Sequence, residues 1–141
     1  MNIPLLTLLG FVAWTLSTLF ASLGVYRWSR ILGGHASIAG RRADLPRGTD
    51  WYRRAMRAHM NYVENLPLYC AIVMMLMVTG IRSPWADWLS VTRLTARIGQ
   101  TVVHIGLPPT SMSASIRFTL FATQIACMIA MGSIAATSLA R

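Results

Sequence analysis

Four long apolar stretches, separated by short polar or Gly/Pro-rich intervals, dominate the chain. A membrane-spanning helix needs about 20 mostly apolar residues. The first stretch covers residues 3–32 and is closed by Gly33-Gly34. The second covers residues 51–80, with Asp50 placed to cap it and Arg53, Arg54 and Arg57 on its first turns. The third covers residues 84–107 and opens on Ser83-Pro84, a capping residue followed by proline at the first helical position. The fourth covers residues 113–139 and is clearly apolar from Phe118 onward. The pattern predicts an all-α fold, an integral membrane four-helix bundle in one domain over residues 1–141. Residues 33–50 form the one long connection. The opening Met1-Asn2-Ile3-Pro4 has no positive charge, and the apolar run behind it is longer than a signal peptide's, so it reads as a retained helix.

Composition sharpens this picture. The chain is 55% apolar and only 12% charged, with a mean hydropathy of +0.51, which is too apolar for a soluble domain of this size. A net charge of +9 would suit a nucleic-acid binder, but its basic residues alternate with long uncharged spans. That class is therefore excluded. All 13 cations are arginine, and eight of them lie between Arg27 and Arg57. By the positive-inside bias the first loop is expected in the cytoplasm and both termini on the outer side. Trp14, Trp28, Trp51, Trp85 and Trp88 mostly fall near span ends, as an aromatic belt would. Cys70 and Cys127 each sit alone in an apolar run; they read as buried thiols, and no metal-ligand cluster is expected.

The candidate chemistry lies on the second and third helices. At 100° per residue, taking Arg57 as zero, Asn61 falls at about +40°, Glu64 at about −20° and Arg53 at about −40°. Glu64 is the only acid well inside an apolar span. Unpaired it would be costly, so Arg57 or an arginine from a neighbouring helix is its expected partner. Pro67 follows and is expected to bend the helix. On the third helix, taking Arg97 as zero, Arg93 falls at about −40°, Gln100 at about −60°, Thr101 at about +40° and His104 at about −20°. An ionisable group facing lipid costs at least about 2.5 kcal/mol near the bilayer centre. This helix must therefore turn its polar side to protein or to a water-filled cleft. An oligomer with polar sites between subunits is the expected solution. Two such stripes face to face make a cleft for a small anionic molecule, since arginine pairs bidentately with carboxylates. The ordinary structural reading stands beside it: an intramembrane Arg57–Glu64 pair, with the third helix's arginines snorkelling. His59 lies off the stripe and reads as structural.

The run Arg57-Ala58-His59-Met60-Asn61-Tyr62-Val63-Glu64 resembles the Arg-Ala-x-x-Asn-x-x-Glu signature of the MAPEG family, membrane-associated proteins in eicosanoid and glutathione metabolism. The four-span plan, the long first loop and an arginine on the third helix extend the resemblance over essentially the whole chain. Within the family it is similar to bacterial-type members akin to microsomal glutathione S-transferases. The resemblance implies a homotrimer that binds glutathione between adjacent subunits. It implies glutathione-binding roles for Arg57, Asn61 and Glu64, and matches Arg97 to the family's arginine on the third helix. Arg53, Gln100 and His104 complete the implied site, and Arg27 and Arg30 are candidates for the family's arginine at the end of the first helix. His104 stands where eicosanoid-type members often carry tyrosine, and Gln100 where some carry histidine or tyrosine. Arg117 is the candidate for the catalytic arginine near the start of the fourth helix, at a shifted spacing.

The resulting expectation is a membrane-bound glutathione-dependent transferase or peroxidase acting on lipophilic electrophiles or hydroperoxides that arrive from the bilayer. Glutathione is the co-substrate, with Arg117 lowering the thiol pKa. The alternative is a non-catalytic glutathione- or lipid-binding membrane protein of the same fold. A four-helix multidrug transporter is disfavoured, because those rely on an acid in the first span and this one has none.

Overall fold

The computed structural model describes residues 2–34 and 49–139, and among them the chain is helical with no strand. Four helices run up and down: α1 (Ile3–Leu32), α2 (Asp50–Val78), α3 (Pro84–Gly106) and α4 (Ser111–Leu139). The observed α2 starts one residue before the expected span and α4 two residues before it. Of the loop expected in the cytoplasm, residues 35–48 lie outside the described residues.

Local chemistry sets the helix ends. The Asn2 side chain accepts from the Leu5 N–H at 3.1 Å, with Pro4 in the first turn of α1. Thr49, rather than Asp50, caps α2 by accepting from the Tyr52 N–H at 3.4 Å. At the other end of α2, Gly80 takes φ +67°. The Gly80 and Ile81 N–H groups then bond back to the Met77 and Leu76 carbonyls at 3.1 Å each, closing a Schellman turn that lets three residues reverse the chain. Pro67 does not interrupt α2, which is continuous from Asp50 to Val78. The irregular helix is α1. Leu19–Gly24 forms a π-helical segment, with the Val25 N–H reaching the Phe20 carbonyl. Thr15, Thr18 and Ser22 bond back to carbonyls one turn earlier on the same stretch.

Among the described residues, three helices are long and apolar enough to cross a membrane: α1, α2 and α4. The remaining one, α3, is 23 residues long, about 35 Å at 1.5 Å per residue, enough to cross with the others. Its polarity is resolved by position. It packs against α1, α2 and most extensively α4, and its buried face holds Ser90, Arg93, Arg97, Gln100 and Thr101. The expectation that α3 needs another subunit to hide its charges is therefore corrected, because the chain's own helices cover them. All four helices present large apolar side chains outward, among them Leu9, Phe20, Leu68, Val78, Val102, Phe118 and Ile129, as lipid contact favours. The protein is an integral, multi-pass membrane protein.

Two apolar clusters hold the bundle. The larger gathers Phe11, Tyr62, Tyr69, Val73, Leu76, Ala86, Met128 and Met131 from all four helices. Phe11 meets the edges of Tyr62 and Tyr69 at centroid distances of 6.1 and 6.3 Å. The smaller, around Leu23, Tyr52, Ala55 and Met56, packs the π-helical end of α1 on the start of α2.

Candidate functional site

Arg97 is the centre of the polar interior. It is 2% exposed, and a lone buried cation would cost several kcal/mol. One terminal nitrogen donates to the Asn61 side-chain oxygen and, at 2.9 Å, to Gln100 Oε1. The other donates to the Asn61 backbone carbonyl at 3.0 Å. The guanidinium also lies over the Tyr62 ring at 4.8 Å. The network continues outward from there. Gln124 Nε2 donates to Gln100 Oε1 at 3.0 Å, and Gln100 Nε2 donates to the Arg117 carbonyl at 3.2 Å. Thr101 joins the Tyr62 hydroxyl and accepts from Trp14 Nε1 at 3.3 Å. All four helices are thus tied together at the level of Arg97.

Toward the end of the bundle that carries the long loop, this network opens on a cationic cluster. A small cavity between α2 and α3 is lined by Ala58, Asn61, Tyr62, Arg97, Gln100, Thr101 and His104. The His104 ring lies within electrostatic reach of Arg117, Arg57 and Arg54, and its Nε2 is buried with no hydrogen-bond partner among the described residues. Arg54 donates to the Ile105 carbonyl at 3.3 Å, and Arg117 to the Ser113 carbonyl at 3.2 Å. The half-buried Arg117 side chain leaves its terminal nitrogens uncommitted among the described residues.

The residues expected from sequence separate into three groups. Asn61, Arg97, Gln100 and His104 line one cavity, with Arg117 beside it. Arg57 and Glu64 lie on the exposed outer face of α2 and form no ion pair with each other or with any other described residue, so the expected Arg57–Glu64 pairing is corrected. The reason is helical phase: the packed face of α2 is centred on Tyr62 and Tyr69, which turns Asn61 inward and Glu64 outward. Arg53, Arg27 and Arg30 form the third group, at the rim. Arg53 pairs with Asp50. Arg27 donates to the Tyr52 hydroxyl at 2.8 Å, tying α1 to α2, while Arg30 is exposed. The expected face-to-face meeting of two whole stripes is therefore a meeting at Asn61 and Arg97 alone.

Sequence reasoning passed over Arg54 and Gln124. Gln124 had a signal, since it is the one amide in the apolar run of α4 and such groups bond across helices. Arg93, on the α3 stripe, is fully buried away from this cavity, its guanidinium 3.7 Å from the Tyr69 centroid and 4.7 Å from that of Phe11. None of its guanidinium nitrogens has a hydrogen-bond partner among the described residues.

An up-and-down membrane bundle with an arginine–asparagine core and a cationic cluster at one end defines the class. The match to the MAPEG family model runs over residues 5–137, and the chain belongs to that family of membrane proteins of glutathione and eicosanoid metabolism. No curated protein and no solved structure matches it.

Proposed function

We propose that the protein is a glutathione-dependent transferase or peroxidase acting on lipophilic electrophiles or hydroperoxides, and that it works as a homotrimer. The observation that carries this reading is the cavity walled by Asn61, Arg97 and His104, with the charges of Arg54, Arg57 and Arg117 in electrostatic reach of His104. This donor set fits a small molecule with two carboxylates and a thiol. Arg57, exposed on α2 one turn before Asn61, takes a carboxylate, with Arg53, Arg27 and Arg30 as further cations at the rim. Arg97 is too buried and too fully engaged to do so. It is a positioning residue that fixes the Asn61 amide, which hydrogen-bonds the tripeptide backbone. Glu64, on the outward face of α2, accepts the ligand's ammonium group where a neighbouring subunit covers that face. An uncovered carboxylate at that depth would meet lipid.

Arg117 stabilises the thiolate once the thiol proton has left to solvent. In conjugation the sulfur forms a bond to an electrophilic carbon, and that carbon's leaving group departs with the electron pair. In peroxide reduction two thiols are oxidised to a disulfide while the hydroperoxide is reduced to an alcohol and water. A bilayer location concentrates such apolar substrates next to the site.

The test is glutathione binding by calorimetry on the purified protein, with turnover of a chlorodinitrobenzene and of an organic hydroperoxide. Saturable binding with turnover of either supports the proposal. Binding with no turnover of any electrophile or peroxide leaves a non-catalytic glutathione-binding protein of this fold, and absence of binding removes the reading altogether.

A further inference from the structure

The end of the bundle opposite the arginine cluster carries two adjoining cavities of opposite character. The first, about 120 Å³, lies among Asn2, Pro4, Leu76, Arg82, Ser83 and Asp87, well above the roughly 10–15 Å³ that admits one water. The second, about 240 Å³, is apolar and is lined by Ile3, Pro84, Asp87, Trp88 and Val91. Asp87 lines both. Arg82 and Asp87 bear opposite charges on one small cavity, yet among the described residues neither side chain forms an ion pair or a hydrogen bond. Trp85 and Trp88 are exposed alongside, at the level where aromatic side chains meet lipid headgroups.

We propose that this end binds one phospholipid whose headgroup bears a primary amine, seating the phosphate on Arg82, the ammonium on Asp87 and the start of an acyl chain along Pro84, Trp88 and Val91. Three features select that ligand. A cation and an anion held apart in one cavity complement a zwitterion better than a simple anion. The partly buried carboxylate of Asp87 favours an ammonium that donates hydrogen bonds over a quaternary one that cannot. The apolar cavity continuing from Asp87 provides for a chain that a soluble phosphoamine lacks. The site is independent of glutathione binding at the other end of the bundle.

Native mass spectrometry of the full chain, purified free of lipid in detergent, tests this with dioleoyl phosphatidylethanolamine, phosphatidylcholine and phosphatidylglycerol, and with glycerophosphoethanolamine as the chainless probe. The ethanolamine lipid is expected to bind about tenfold more tightly than the choline lipid. Asp87→Asn should abolish that preference, and Arg82→Gln should weaken all three lipids, since each carries the phosphate. Trp88→Ala, at an exposed position, should weaken all three lipids. If Asp87→Asn does not fold, Arg82→Gln and Trp88→Ala decide. Equal retention of the three lipids overturns the proposal, as does an ethanolamine preference that survives Asp87→Asn. Tighter binding of the glycerol lipid would make this an anion site and defeat it. Equal affinity for the chainless probe would defeat the lipid assignment.

Discussion

Arg97 sends both terminal nitrogens to Asn61, reaching its side-chain oxygen and its backbone carbonyl across the α2–α3 contact, with one of the two shared with Gln100. The pair is short-range glue and site architecture at once, because Asn61 also walls the cavity beneath His104. Asn65 adds to it by donating to the same Asn61 carbonyl at 2.8 Å.

Removing one partner should therefore be worse than removing both. Asn61→Ala removes one of the two side-chain acceptors of a buried guanidinium, leaving Gln100 Oε1, and is expected to destabilise the bundle by about 3 kcal/mol. Asn61→Leu combined with Arg97→Met should recover much of that loss. Unfolding midpoints of the native protein and the two variants in one detergent check this; a double variant no better than Asn61→Ala would show that the pair is not the coupled unit.

Arg93 gives the opposite expectation. Its charge rests on the faces of Tyr69 and Phe11 alone, and such contacts return about 2 kcal/mol each when desolvated. Arg93→Met keeps the length and removes the desolvation penalty, so stability should hold or rise. Tyr69→Leu should cost more in the native background than in Arg93→Met, by about 1–2 kcal/mol. Zero coupling in that double-mutant cycle would deny the cation–π contact any role.

The proposed division of labour predicts two different kinetic signatures. Arg117→Ala should lower kcat for conjugation by about a hundredfold, as loss of a charge-stabilising donor does, with little change in KM for glutathione. Arg57→Ala should raise that KM about tenfold, the worth of one charge-assisted hydrogen bond, with a smaller effect on kcat. Steady-state kinetics on both variants decides. The reverse pattern would exchange their roles, and full activity in Arg117→Ala would remove that residue from the mechanism.

Gly80 gives a test of the fold alone. At φ +67° the left-handed backbone disfavours any residue with a Cβ by about 1–2 kcal/mol. A methyl group at Gly80 would meet no neighbouring atom within 4 Å, so Gly80→Ala should lose about 1 kcal/mol through the backbone rather than through a clash. Gly132→Ala, at a helical position equally open, should not destabilise, and the difference between their unfolding midpoints measures the effect.

The four helices were legible because each carries its own record of hydrophobic length and a capping or breaking residue at its ends. What sat between them was less so. Angular position on a helix said that Arg57, Asn61 and Glu64 share a side of α2, but not where the packed face ends, and Asn61 proved to lie on its inner margin with Glu64 beyond it. That margin is set by Tyr62 and Tyr69, whose tertiary partners Phe11, Thr101 and Thr7 lie on other helices. Periodicity within one helix carries no such information. The same holds for α3. Its polar stripe was plain in the sequence, but whether the chain could cover it unaided depended on the central position of α3. The π-helical segment of α1 had no sequence signal beyond its Thr/Ser content.

The central position of α3 also bears on biogenesis. Two mid-helix arginines add about 2.5–3.5 kcal/mol each to the insertion of an isolated segment. Since α3 packs most extensively on α4, it is expected to enter the bilayer together with α4 rather than alone. A nascent chain halted after Gly106 would leave that segment stranded at the membrane surface.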